Sequence, residues 1–329
     1  MRYPLLIATF IAATMLSACA QQGDEPQNYR LGEFRFFYTL SGPDALPAEN
    51  QVDADNNGVP DFVENIAVRL QSSWQIMTES FGMTSPLESE RYRGKVDFIA
   101  VEFHTRDGSG SAGDAIMASR EFPGKHALKI RLSNRLRPGT LTPTHELFHV
   151  FQNGYTMFKT RWYTEGTARW SEYILKEGTG SREDLPPTTE ALLEVLQQTY
   201  DTKTMWRRLA YLLDTNDGSF EVPINLPPPA PGYDEVLEDT RIYGYEFMRF
   251  FLEELDRLDA LAATIYGVAE HDWEEDLQKS ERNTPYILCA IKFTVERFSI
   301  PDKRRDEFDA YLGAIDEITG DFCQRLSAG

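Results

Sequence analysis

Two histidines four residues apart, His145 and His149, stand in the run Thr142-Pro143-Thr144-His145-Glu146-Leu147-Phe148-His149-Val150-Phe151-Gln152-Asn153-Gly154. On a helix, positions i and i+4 project from one face, so both imidazoles can reach a single ion. Glu146 is turned by about 100° from His145, which sets its carboxylate beside such an ion as a base instead of on it. This is the metalloprotease pattern H-E-x-x-H. The plain alternative is a pair of core histidines with satisfied hydrogen bonds. Downstream lies Trp162-Tyr163-Thr164-Glu165-Gly166-Thr167-Ala168-Arg169-Trp170-Ser171-Glu172. A helix, a short loop and an antiparallel helix would return Glu165 toward the two histidines. Two His and one Glu leave the fourth position of a tetrahedral zinc site open to water. Glu146 would take the proton of that water and pass it to the leaving amine.

A second constellation is Asp53-Ala54-Asp55-Asn56-Asn57-Gly58-Val59-Pro60-Asp61-Phe62-Val63-Glu64. An EF-hand-type calcium loop needs oxygen ligands at its first, third, fifth, ninth and twelfth positions, a glycine at the sixth and a backbone carbonyl at the seventh. Asp53, Asp55, Asn57, the Val59 carbonyl, Asp61 and Glu64 fill those places, with Gly58 at the turn. Four carboxylates this close repel unless a cation bridges them. The competing reading is a solvated acidic turn leading into a helix that starts at Pro60 and favours negative charge in its first turn. A calcium ion here would be structural. His104, His126 and His271 read as surface or core histidines.

The elements that must position these residues follow from periodicity. Thr142 is a candidate N-cap with Pro143 at the first helical position and Gly154 as the stop. Thr164 is a candidate cap for the next helix, with Glu165 in its first turn. Phe34 to Leu40, Lys95 to Phe103 and His126 to Leu132 read as strands. Asp61 to Phe81 has helical spacing, and Arg106 to Gly113 reads as a Gly/Ser-rich loop. No strong strand candidate follows Leu132. Helical spacing predicts Glu165 to Glu177, Thr189 to Leu213, Tyr243 to Leu258, Ala260 to Glu270 and Pro285 to Arg297. The fold class is therefore α+β, with sheet and active-site helix in residues 29–178 and a helical subdomain in 179–329.

Composition narrows the function. The chain has 329 residues, 41% of them apolar, with 33 Lys plus Arg against 52 Asp plus Glu, a formal charge of −19. So acidic a surface repels phosphates and excludes the usual kind of nucleic-acid binder. Arg2, the apolar stretch Leu5 to Leu16 and then Leu16-Ser17-Ala18-Cys19 resemble a bacterial lipoprotein signal over residues 1–18. That resemblance implies acylation of Cys19, a polar tether over 19–28 and an exported protein held at a membrane, with Ala20 compatible with the outer membrane. In that oxidising setting Cys289 and Cys323 are expected to pair, two separately buried thiols being the alternative.

His145-Glu146-x-x-His149 followed by Trp162-x-x-Glu165-Gly166-x-Ala168 resembles the gluzincin metallopeptidases, whose third zinc ligand is the Glu of an E-G-x-A segment. The Asp53 to Glu64 run, with Phe36-Phe37-Tyr38 before it and Phe148-His149-x-Phe151-Gln152 after it, is similar to a family of secreted bacterial metalloproteases. Those bear D-x-N-G-V-P-D-Y-V-E and H-E-F-F-H-x-x-Q. The likeness covers Phe34 to Tyr173 well and the C-terminal half loosely. It implies a zincin-like fold and a peptide or protein substrate. Two departures stand out. Phe62 replaces a favoured tyrosine, and Arg169 stands where thermolysin-like enzymes carry an aspartate that orients a zinc histidine. Glu172 is the candidate to replace that carboxylate. Gluzincins commonly add a Tyr or His from the helical half to stabilise the oxyanion. Tyr243 or Tyr245 would serve, Tyr243 being favoured, unless both are aromatic core. Aminopeptidase relatives carry G-x-M-E-N, whereas Gly113-Asp114-Ala115-Ile116-Met117 lacks the Glu-Asn, which points to internal peptide bonds. The alternative function is an exported lipoprotein that keeps the fold as a binding module without turnover.

Overall fold

The alternating apolar segments form one mixed sheet of six strands. They are β1 (Gln27–Leu31), β2 (Phe34–Tyr38), β3 (Phe98–His104), β4 (Gly110–Ala112), β5 (Met117–Ala118) and β6 (His126–Ser133). A computed structural model describes residues 26–176, 180–239, 241–300 and 302–328. The expected signal over 1–18, Cys19 and most of the tether lie outside these residues. The strand order is β1-β2-β3-β6-β4, with β5 also on β6. β2, β3 and β6 run parallel, and β1, β4 and β5 are antiparallel to their neighbours.

Alternation decides the two faces of the sheet. Ile99, Val101, Leu128, Ile130 and Leu132 are fully buried under helices. Phe37, Phe98, Ala100 and Ala127 form a small cluster on the other face, partly covered by Phe122. Two expectations are corrected here. Gln27 and Asn28, read as tether, pair in β1 with Tyr38 and Phe37. The supposed loop over Arg106 to Gly113 contains β4, because its small residues can lie flat against β6.

The crossover from β2 to β3 carries α1 (Asp61–Gln75). After β6 come α2 (Thr142–Tyr155) and α3 (Arg161–Ser171), then α4 (Thr189–Leu196), α5 (Lys203–Leu212), α6 (Tyr245–Tyr266), α7 (Glu275–Gln278), α8 (Thr284–Val295), α9 (Asp302–Thr319) and α10 (Phe322–Ala328). No strand follows Ser133 among the described residues. The helix expected over Thr189 to Leu213 is broken: α4 ends at Leu196, and a 3-10 turn, Tyr200–Thr202, precedes α5. The two helices expected around Leu258 are one, α6, which Gly267 ends in a left-handed conformation, φ 69°. Helices α9 and α10 had no counterpart in the sequence reading.

The main buried cluster runs from Phe34 to Leu326 and so is shared by both halves of the chain. It includes Trp206, Tyr163, Phe148, Phe151, Phe247 and Phe251, each contributing roughly 1.5–3 kcal/mol by leaving water. Within the helical half, Cys289 of α8 is disulfide-bonded to Cys323 of α10 across a Cα separation of 5.3 Å. The described fold is thus α+β with a mixed sheet on one side and helices on the other.

Candidate metal centre

Helix α2 lies buried between α1 and α3. Leu147, Phe148, Val150 and Phe151 have no exposed surface, and the Thr144 hydroxyl meets that of Ser73 on α1 at 2.8 Å. The helix starts one residue earlier than expected, with Leu141 at the N-cap, and continues through Gly154 to Tyr155. Gly154 is not a stop. A Cβ there would come within 3.3 Å of the Pro86 Cα, so the glycine serves close packing. Helix α3 likewise starts at Arg161, after Thr160, which places Glu165 a full turn inside it.

The two helices bring His145, His149 and Glu165 together. His145 Nε2 and His149 Nε2 are 3.2 Å apart. Glu165 Oε2 stands 3.3 Å from the first and 3.6 Å from the second. The other ring nitrogens are engaged behind them. His145 Nδ1 donates to Glu172 Oε1 at 3.0 Å, and Arg169 Nη1 donates to the same oxygen at 2.8 Å. His149 Nδ1 donates to Gln152 Oε1 at 2.7 Å. Gln152 cannot be turned round, because its Nε2 donates to the Thr164 carbonyl at 2.9 Å and to Thr167 Oγ1 at 2.6 Å.

Those partners fix the tautomers. With Nδ1–H committed on both rings, each Nε2 presents a lone pair to the other and to a carboxylate oxygen. Three acceptors facing one another require a cation among them, and two imidazoles with a carboxylate match the donor set of zinc. A proton can also meet the need. Burial disfavours a charged ring, but hydrogen bonds to Glu165 and Glu172 outweigh it and raise His145 to about 9. Burial would raise Glu165, yet hydrogen bonds from His145 and His149 hold it far below the usual carboxylate range.

Glu146 is 6% exposed and points elsewhere, toward β4. Its carboxylate has no hydrogen-bond partner among the described residues. Burial pushes its pKa up, with His149 and His145 opposing. The site opens into a cleft of about 650 Å³ lined by Gly110, Ser111, Ala112, Lys159, Arg161 and Tyr200. A separate hollow of about 520 Å³ on the open sheet face is lined by an internally paired set, Glu102 with Lys129 and Arg131.

Tyr243, expected beside the metal, is not there. Its ring packs on Tyr211 at 5.1 Å, and its carbonyl accepts from Trp170 Nε1 at 2.9 Å. Tyr245 is stacked on Phe81 at 4.7 Å. Tyr243 thus packs against α5 and α3, and Tyr245 against Phe81 beyond the end of α1. The aromatic hydroxyl at the cleft is that of Tyr200, whose ring lies 6.2 Å from the His145 ring. Its phenol is pushed up by burial and then by Glu165. Tyr200 sits in the break between α4 and α5. Thr202 Oγ1 and Trp206 Nε1 both donate to the Trp162 carbonyl, at 2.8 and 3.1 Å. Gly166 permits that approach, since a Cβ there would fall 2.2 Å from Thr202 Oγ1. A helix-period reading hid Tyr200, because Gln197 and Gln198 are good helix formers and no Gly or Pro marks the break.

In the acidic loop, carboxylate oxygens of Asp53, Asp55 and Asp61 lie within 4.8 Å of one another. Gly58 takes φ 90° and Asn56 φ 58°. Asp53 accepts from the N–H groups of Asn57 and Gly58, Asp61 from that of Ala54, and Asn57 Oδ1 from the N–H of Val59. Glu64 accepts from Asn57 Nδ2 at 2.9 Å through one oxygen, while the other is buried without a partner. Its pKa is raised by burial and by Asp55, Asp61 and Asp53. His104 lies between Asp44 and Glu102, both at 3.4 Å. His126 is exposed, and His271 is partly buried near the exposed Glu90 and Glu270.

No protein-family model matches this sequence, and no solved structure matches the fold. No described helix is long and apolar enough to cross a membrane.

Proposed function

We propose that the protein is a zinc-dependent metallopeptidase of zincin-like, gluzincin type, acting on internal peptide bonds of a peptide or protein. The observation that carries this reading is the meeting of two imidazole Nε2 lone pairs and the Glu165 carboxylate, 3.2 to 3.6 Å apart, with Glu146 left outside the group. Zinc held by His145, His149 and Glu165 would supply Lewis acidity for a peptide carbonyl and would lower the pKa of water.

The remaining chemistry belongs to side chains of this protein. Glu146, buried and unpartnered, is suited to accept the proton of the attacking water and hand it to the leaving amine. The Tyr200 hydroxyl is suited to donate to the developing oxyanion, the role the sequence reading gave to Tyr243. β4 ends the strand order, and its Gly110, Ser111 and Ala112 line the cleft. An extended peptide laid along it would gain main-chain hydrogen bonds as an added strand. Glu172 and Gln152 hold the two rings in the tautomer that binding needs. The loop from Asp53 to Glu64 we read as a structural calcium site that pins the start of α1. Acylation at Cys19 would hold the enzyme at a membrane outside the cytoplasm.

The test is hydrolysis of casein by the purified protein, abolished by a chelator and restored by zinc. Glu146→Gln should abolish turnover with zinc still bound. Zinc occupancy without turnover on protein substrates, indifferent to Glu146→Gln, would instead favour a binding module.

A further inference from the structure

Arg169 has no role in the reaction as described above, yet it touches both halves of the site. It lies in the last turn of α3, one turn beyond Glu165. Its Nη1 donates to both Glu172 oxygens, at 2.8 and 3.1 Å. The Glu172 carboxylate is buried, and its Oε1 is the acceptor for His145 Nδ1. On its other side the guanidinium carbon lies 5.0 Å from the centre of the Tyr200 ring.

We propose that Arg169 is a positioning residue that holds Glu172 against His145 and seats Tyr200 at the cleft, so that one side chain sets both a ligand ring and a hydroxyl donor. The inference rests on reading the site as a zinc site. Two physical arguments support it. Glu172 stands in a region already holding the Glu165 and Glu146 carboxylates. Without a cation at its back it would be repelled from that region, and the His145 ring would lose the acceptor that orients it. Tyr200 is 42% exposed and belongs to a three-residue turn between two helices. Its backbone is tied down through Thr202 and Glu165 faces its hydroxyl, while the planar guanidinium face is the contact that can hold the ring itself. The Arg169 Nε is buried without a partner, so hydrogen bonding on that edge does not explain where the group sits.

The two tasks need different properties of the side chain. Charge suffices to hold Glu172, whereas seating Tyr200 needs the flat face of a guanidinium. Arg169→Lys should therefore separate them. We expect Arg169→Ala to weaken zinc binding by about 10-fold or more, within the range for loss of a group that orients a ligand, as measured by competition with a chelator. The visible spectrum of the cobalt-substituted protein should shift with it. Arg169→Lys should keep zinc affinity within a few-fold of wild type while lowering kcat on casein-derived peptides as Tyr200→Phe does. The double variant Arg169→Lys/Tyr200→Phe should then be no slower than Tyr200→Phe alone.

Unchanged zinc affinity in folded Arg169→Ala would overturn the link to His145. Multiplying rate losses in the double variant would overturn the link to Tyr200. Arg169→Gln carries the same expectations and perturbs the fold less, should the alanine variant not fold. If wild type binds zinc and cleaves nothing, the peptidase reading fails, while the affinity measurements still decide the role of Arg169 toward the metal site.

Discussion

Gly110 and Glu146 touch across the cleft: a methyl group added to Gly110 would sit 2.6 Å from Glu146 Oε1 and 2.7 Å from its Cγ. An edge strand without a side chain at this point is what lets the carboxylate lie where it does. Gly110→Ala should push Glu146 aside by about an ångström, which can cost on the order of 100-fold in rate. Zinc content should not change, since Glu146 is not one of the donors. A Gly110→Ala enzyme with wild-type kcat/KM would show that Glu146 does not need this position.

Gln152 is the only described partner of His149 Nδ1, and α3 holds it in a single orientation. Gln152→Leu keeps the approximate volume and removes the acceptor. We expect zinc affinity to fall by about 10- to 100-fold, together with a modest loss of Tm from the lost Gln152 Nε2 hydrogen bonds to the Thr164 carbonyl and Thr167 Oγ1. Chelator competition reads the first effect and thermal unfolding the second. Unaltered affinity would mean that the ring is oriented by packing alone.

Calcium binding to the folded loop alone would raise stability by about 2.7 kcal/mol at a concentration 100 times its Kd. Thermal unfolding of the chelated protein should therefore shift upward on adding calcium, and Glu64→Gln should remove most of the shift. A Tm indifferent to calcium in the wild type would leave the segment an acidic turn.

Asp259 titrates against the usual direction. It is 2% exposed, accepts only from the Met157 N–H and keeps its other oxygen unpartnered. Burial raises it from 3.8 to about 8, with Asp256 adding to the effect. Between those two values the folded chain holds a proton that the unfolded chain has released, so stability falls as pH rises through that window. Asp259→Asn should relieve this. Its free energy of unfolding should match wild type near pH 4 and exceed it at pH 8, by at least about 1 kcal/mol given roughly 1.4 kcal/mol per pKa unit. A constant difference across that range would refute the assignment.

The chemistry of α2 and α3 was legible because a helix converts sequence spacing directly into a shared face, and His145, His149 and Glu165 need nothing more than two such helices. Glu172 was legible for the same reason, seven positions beyond Glu165. Tyr200 was not. Its place depends on a helix break and on Gly166 letting Thr202 and Trp206 close on α3, a contact between segments that periodicity does not record. Tyr243 failed as a candidate because aromatics before an amphipathic helix serve packing as readily as chemistry. β4 was missed because Gly, Ser and Ala carry little strand signal, and only pairing with β6 makes them a strand.

The most direct measurement is the zinc content of purified wild type, Glu165→Ala and Glu146→Gln by elemental analysis. About one zinc per chain is expected in wild type and in Glu146→Gln, as for a site with three protein ligands, with most of it lost in Glu165→Ala. Zinc absent from wild type, or retained equally in Glu165→Ala, would contradict the convergence of His145, His149 and Glu165 on one ion.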